Sequence, residues 1–79
     1  MEELVKFIAQ ELVDKKEAVE VTSTQESEKV TIINLTVDKE DVGKIIGRNG
    51  KVANSLRTIV KSASAKLGKR FIVKIGERD

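Results

Sequence analysis

The stretch Asp41–Leu56, D-V-G-K-I-I-G-R-N-G-K-V-A-N-S-L, decides the fold. Gly47 and Gly50 bracket Arg48 and Asn49. A short apolar segment (Val42, Ile45, Ile46) precedes them and an amphipathic one (Val52, Ala53, Leu56) follows. The pattern predicts a helix, a four-residue turn over 47–50 and a second helix. Glycine accepts the positive φ that so tight a turn demands and lets another backbone approach with no Cβ in the way. The turn opens straight into the next helix, so the free N–H groups of that helix's first turn point out beside Gly50. Such groups attract anions, phosphate above all. Arg48, Lys51 and Lys44 put positive charge around the same spot. The combination reads as a phosphate clamp.

Outward on the C-terminal side, Lys51 to Leu67 carries Val52, Ala53, Leu56, Ile59, Val60, Ala63 and Leu67 on one side of a helix, with Gly68 as its C-terminal cap. A strand follows at Arg70–Ile75, where Phe71, Val73 and Ile75 alternate with Ile72 and Lys74. Outward on the other side, Asp38 is placed to cap a helix Lys39–Ile46, with Glu40 and Asp41 in its first turn. Lys29 to Val37 alternates, Thr31, Ile33, Leu35 and Val37 on one face and Val30, Ile32, Asn34 and Thr36 on the other. The second face is less polar than a fully solvated one should be.

Ala18 to about Thr24 is a second β-branched run, and the polar link Gln25–Glu28 suits a hairpin between the two. Glu2 to about Asp14 reads as a helix. Leu4, Ile8 and Leu12 repeat every four residues, Val5 and Phe7 widen the stripe, and this face is expected in the core, the alternative being a partner helix. The order is αββααβ. Some thirty residues and two helices separate the last two strands, a crossover that favours a parallel pair. The expected fold class is α+β, a three-stranded mixed sheet with helices packed on one face.

With 79 residues the chain has room for one domain and a modest core, so an extra source of stability is expected. Cysteine and histidine are both absent, which removes disulfides, thiolate sites and the commonest general base and metal ligand. No metal and no cofactor is expected. No run approaches a membrane span, and the N-terminus is acidic where a signal peptide would be basic, so a cytoplasmic protein with no membrane partner is the expectation. Charge is sharply divided: Met1–Asp41 holds five lysines against eleven acids, whereas Val42–Gly76 holds nine basic residues and no acidic one. Such a division presents one basic region to a polyanion.

Catalysis is the poorest hypothesis, because no motif sets a base beside a Ser, Thr or Lys nucleophile. A Walker A loop ending at Gly50 would need glycine where Ile45 stands and Ser or Thr where Val52 stands. Nucleic-acid binders that stack bases on exposed aromatics are also disfavoured. The chain has no Trp or Tyr, and both Phe residues lie in apolar stripes.

I-I-G-R-N-G-K-V-A, in its helical context, resembles the signature of the KH (K-homology) RNA-binding domain, and the element order resembles the type II, bacterial form. The whole chain is similar to the KhpA family of small bacterial single-KH proteins. One position departs from the pattern: Ala53 stands where the family often has a large aliphatic residue, which bears on how the second helix packs.

The resemblance implies a single KH domain over residues 1–79 whose GXXG loop is 47–50. It implies a groove that clamps about four nucleotides of single-stranded RNA, with Gly43, Lys44, Ile45, Ile46, Gly47, Arg48, Asn49, Gly50 and Lys51 as the binding residues. It further implies a homodimer, a heteromer with the larger KH-containing protein KhpB, and a role as RNA chaperone or post-transcriptional regulator linked to cell-wall and cell-length control. Within the groove several points stay open. Gly43 is either a packing glycine or bare backbone for a nucleotide, and one of Ile45 and Ile46 enters the core. Arg48 and Asn49 either bind or merely occupy a tight turn. The alternative to RNA binding is a protein–protein module, a KH fold used chiefly for dimerisation.

Overall fold

Alternating β-branched residues build three strands in the computed structural model, which describes residues 1–78. They are β1 (Glu20–Gln25), β2 (Val30–Asp38) and β3 (Arg70–Arg78). β1 and β2 pair antiparallel, with Val21 opposite Leu35 and Ser23 opposite Ile33. Their hairpin closes where the N–H groups of Glu26 and Ser27 both donate to the Val30 carbonyl, at 2.9 and 3.2 Å. β2 and β3 pair in parallel, with Ile33 opposite Val73 and Leu35 opposite Ile75. The sheet order is β1-β2-β3, so β3 is an edge strand.

The helices are α1 (Glu2–Leu12), α2 (Val42–Ile46) and α3 (Lys51–Leu67), with a 3-10 turn at Lys16–Ala18 before β1. The αββααβ order and the mixed sheet match the type II KH form of the α+β class. Ile33, Leu35, Val37 and Val73 are buried on one face of the sheet. Val5, Ala9 and Val13 cover them from the N-terminal side, Ile45 from α2, and Leu56 and Val60 from α3. Each fully buried Leu or Ile contributes about 1.5–3 kcal/mol of transfer free energy. The other face is left open, with Thr22, Thr24 and Lys74 exposed and Ile32 and Ile72 half-buried.

Three details differ from the sequence expectation. In α1 the core takes Val5 and Ala9, both 0% exposed, followed by Val13, which is extended beyond the helix end. Leu4 and Phe7 are instead 36% and 64% exposed. Two overlapping four-residue repeats were available, and the one carrying the small Ala9 lets the helix approach the sheet closely. At the crossover, Asp38 ends β2 as expected but caps no helix: its carboxylate accepts the Glu40 N–H at 2.9 Å within a turn. α2 starts at Val42 with Asp41 as its N-cap residue, so the helix is shorter than the expected Lys39–Ile46. Ala53 is 3% exposed and lies in the core face of α3, where Leu56 and Val60 supply the larger side chains.

Candidate nucleic-acid interface

Asp41 fixes the entry to the glycine turn. The residue is 2% exposed, and its carboxylate accepts the backbone N–H groups of Lys15 at 3.0 Å and Asp14 at 3.4 Å. Lys44 stands 3.5 Å from the same carboxylate and also pairs with Asp14. The Lys15 N–H foremost, then the Asp14 N–H and the Lys44 ammonium, hold the Asp41 carboxyl below the usual aspartate value against the opposing effect of burial. The Asp14 carboxylate, foremost, holds the Lys44 ammonium above its ordinary value. Together these contacts latch the start of α2 to the segment that follows α1.

From that latch α2 presents three different sides. Ile45 is 0% exposed and anchors the helix in the core. It therefore cannot touch RNA, a correction to its inclusion among the binding residues. Ile46 is 40% exposed and remains available to line a groove. Gly43 is exposed too, and a Cβ built on it would meet nothing within 4 Å. The glycine is bare backbone on an open surface and not a point of close packing.

The turn itself requires its glycines. Gly47 has φ 74°, and a Cβ there would lie 2.4 Å from Val52 Cγ2 and 2.9 Å from the Val52 backbone nitrogen. Asn49 (φ 56°) and Gly50 (φ 74°) are left-handed as well, and the Gly50 N–H donates to the Gly47 carbonyl at 3.3 Å. Asparagine is among the few non-glycine residues that accept this conformation readily. α3 then begins with no side-chain cap and no acid in its first turn. The Lys51 N–H is taken by the Arg48 carbonyl, and no side chain caps the N–H groups after it. The positive end of a seventeen-residue helix thus meets the loop beside Arg48, Asn49 and Lys51, all exposed.

The predicted site residues are therefore gathered in part. Gly43, Ile46, Gly47, Arg48, Asn49, Gly50 and Lys51 form one surface around the turn, while Ile45 is core and the Lys44 ammonium is held by Asp14 and Asp41. Asp41 as a latch was not foreseen; in the sequence it looks like any first-turn acid. The buttress of Val52 under Gly47 leaves no signal in the sequence at all.

A second surface lies on the other flank of α3. Ile8 and Leu12 of α1 face Lys51, Val52, Ser55 and Ile59 of α3 across a groove of about 260 Å³, which Lys51 joins to the glycine turn. Ile59 is 46% exposed there, and the exposed Leu4 and Phe7 belong to the same helix as Ile8 and Leu12. Among the described residues, no cluster of acids is arranged to hold a metal ion, and no helix is long and apolar enough to cross a membrane.

Comparison with known proteins gives a consistent picture. The family model described as KhpA/KhpB, KH domain, matches residues 2–75. The RNA-binding protein KhpA of Caldanaerobacter subterraneus is 49% identical, over 95% of this chain and 99% of that protein. The RNA-binding protein KhpA of Aquifex aeolicus is 43% identical, over 98% of this chain and 96% of its own length. A crystal structure of Era in complex with MgGDPNP and a segment of 16S ribosomal RNA superposes with TM-score 0.61 at 17% identity. This chain spans 29% of that one, and the likeness is one of fold.

Proposed function

The chain belongs to the KhpA/KhpB family of KH domains, a non-enzymatic family, and from that premise we propose that it binds single-stranded RNA at the glycine turn. The observation that carries the reading is the uncapped start of α3 beside the left-handed loop, flanked by Arg48 and Lys51. A backbone phosphate seats on those N–H groups. The exposed backbone at Gly43 and the side chain of Ile46 receive the sugar and base of a neighbouring nucleotide. Four nucleotides fill such a groove, with no aromatic platform needed. The whole described chain acts as a single KH domain with its GXXG loop at 47–50.

The partner surface we propose is the apolar flank of α3. A small core and the exposure of Ile59 support a homodimer through it. A heteromer with KhpB rests on family resemblance alone. The setting this reading implies is the cytoplasm, with the protein acting as an RNA chaperone or post-transcriptional regulator. The link to cell-wall and cell-length control rests on family resemblance alone. The observation favouring a protein–protein module with little RNA binding of its own is the same apolar flank.

The deciding experiment replaces Arg48→Asp and Asn49→Asp together. Two carboxylates then occupy the place of the phosphate, while Gly47 and Gly50 stay and both changed positions are exposed. Aspartate also tolerates the left-handed conformation at position 49. Binding to short single-stranded RNA should fall at least about a hundredfold, with circular dichroism unchanged. Wild-type affinity should follow salt with a log–log slope of roughly −1.4 to −2.1, the value for two or three phosphates. A folded variant that binds as well as wild type overturns the RNA reading and leaves the protein–protein module.

A further inference from the structure

Lys44 directly follows Gly43 and stands three residues before Gly47, so it springs from the rim of the proposed groove. Its ammonium nevertheless points back to the segment after α1, where it pairs with Asp14 and lies 3.5 Å from Asp41. The two carboxylates are not alike. The Asp41 side chain is 3% exposed and already accepts the backbone N–H groups of Lys15 and Asp14. The Asp14 side chain is 82% exposed, and among the described residues Lys44 is its only ion-pair partner.

Asp14 is nonetheless no stray surface acid. Its own backbone N–H is one of the two that Asp41 holds, so the latch itself delivers this carboxylate to the entry of α2. The neighbouring cation does not relieve it, because Lys15 is engaged with Glu40 at 2.8 Å and Asp38 at 3.6 Å. The chain thus sets one singly paired anion of its own, in water, on the cation that adjoins the bare backbone of Gly43. A phosphate offers an ammonium the same kind of charge-assisted hydrogen bond as a carboxylate. Lysine is a point charge on a flexible four-carbon stem, so it exchanges one oxygen anion for another by turning its side chain.

We propose, resting on the RNA reading above, that Asp14 is a built-in competitor for the strand: it occupies the Lys44 ammonium in the free protein, and a backbone phosphate takes its place on binding. Lys44 then adds one phosphate contact to those at the turn, and the strand gains it only by displacing the acid. The displacement is cheap, since an exposed ion pair amounts to at most about fivefold in an equilibrium constant. The latch survives it, because Asp41 holds backbone N–H groups that the exchange does not touch. Asp14 therefore lowers the affinity of the clamp without shaping the groove.

The test is a double-mutant cycle on the whole chain: wild type, Asp14→Asn, Lys44→Ala and the two together, each titrated with a four-nucleotide single-stranded RNA. Asparagine at position 14 keeps the N–H that Asp41 accepts, and circular dichroism with urea midpoints checks that every variant folds. Asp14→Asn should bind about threefold more tightly than wild type, the size of an exposed pair. Lys44→Ala should bind about threefold more weakly, with a salt slope shallower by roughly 0.7 for one phosphate lost. In the Lys44→Ala background, Asp14→Asn should change nothing. The Asp14 carboxyl carbon resonance of wild type should move on adding RNA, toward its position in Lys44→Ala. An equal gain from Asp14→Asn in both backgrounds overturns the exchange, because the acid then merely repels the strand. No gain in either background overturns it too, as does an unmoved Asp14 resonance at saturating RNA, and in both cases the clamp stands. Failure of wild type to bind the strand at all removes the clamp and the exchange together.

Discussion

The two flanks of α3 are written in the same seventeen residues and present opposite chemistry. Toward β3 the helix shows Asn54, Arg57 and Lys61 beside a cavity of about 380 Å³ rimmed by cations. Toward α1 it shows Val52, Ser55 and Ile59, with Lys51 at the loop end, beside a groove of about 260 Å³ lined by Ile8 and Leu12. The core takes only the narrow stripe between them, Ala53, Leu56, Val60 and Ser64. A helix lying on a three-stranded sheet buries one side only, so its two flanks are free to be specified separately. One suits a polyanion and the other a protein surface.

The sharpest way to break this division is Ile59→Asp. A charge placed on the apolar flank is costly to bury against a partner, and self-association should weaken at least about a hundredfold, as read by sedimentation velocity across micromolar concentrations. Affinity of each protomer for four-nucleotide RNA should not change. A variant that still sediments as a dimer would move the interface elsewhere on the molecule.

Gly43→Leu probes the RNA side with a smaller effect. Nothing lies within 4 Å of the position a Cβ would take. The helix should therefore be unchanged or stabilised by up to about 1 kcal/mol, while RNA affinity drops about tenfold as the side chain covers the bare backbone. Thermal melts beside a titration separate the two effects. A loss of roughly 1–3 kcal/mol would mean the added side chain is overpacked, and the open surface would be refuted.

The least change belongs to Asp41→Asn. Because the folded protein holds this carboxyl below its ordinary value of 3.8, the stabilisation it gives is complete above that value and disappears as pH falls through the folded one. The variant should be less stable than wild type at neutral pH, and the two should converge in acid. Urea midpoints taken at neutral pH and in steps below 3.8 follow the convergence. A gap that stays constant with pH would show that the latch works through shape and not through charge.

Much of this molecule was legible before any coordinates. The element order, the hairpin and the parallel pair follow from alternation, a polar link and a long crossover, and Gly68 caps α3 in the left-handed conformation as its placement predicts. Periodicity fell short where it offered two answers. Leu4 and Phe7 looked like core by their place in the apolar stripe, yet the face that is buried carries Val5 and Ala9. Ile45 and Ile46 are neighbours of equal hydrophobicity, and only the orientation of α2 separates the buried one from the exposed one. Lys44 was counted with the turn on proximity in sequence, but an acid thirty residues earlier, Asp14, holds its ammonium. Long-range charge pairing of this kind leaves no local trace.

Val52 belongs to two neighbourhoods at once. One of its methyl groups lies against the place where Gly47 has no side chain, and the same residue lines the groove shared with α1. A larger residue at 52 would crowd the loop, and a smaller one would hollow the groove. Substitutions that suit one surface are therefore tested against the other. Position 52 has less freedom to vary than its partial exposure suggests, and an altered partner surface on this flank has to be reached through Ser55 and Ile59 instead.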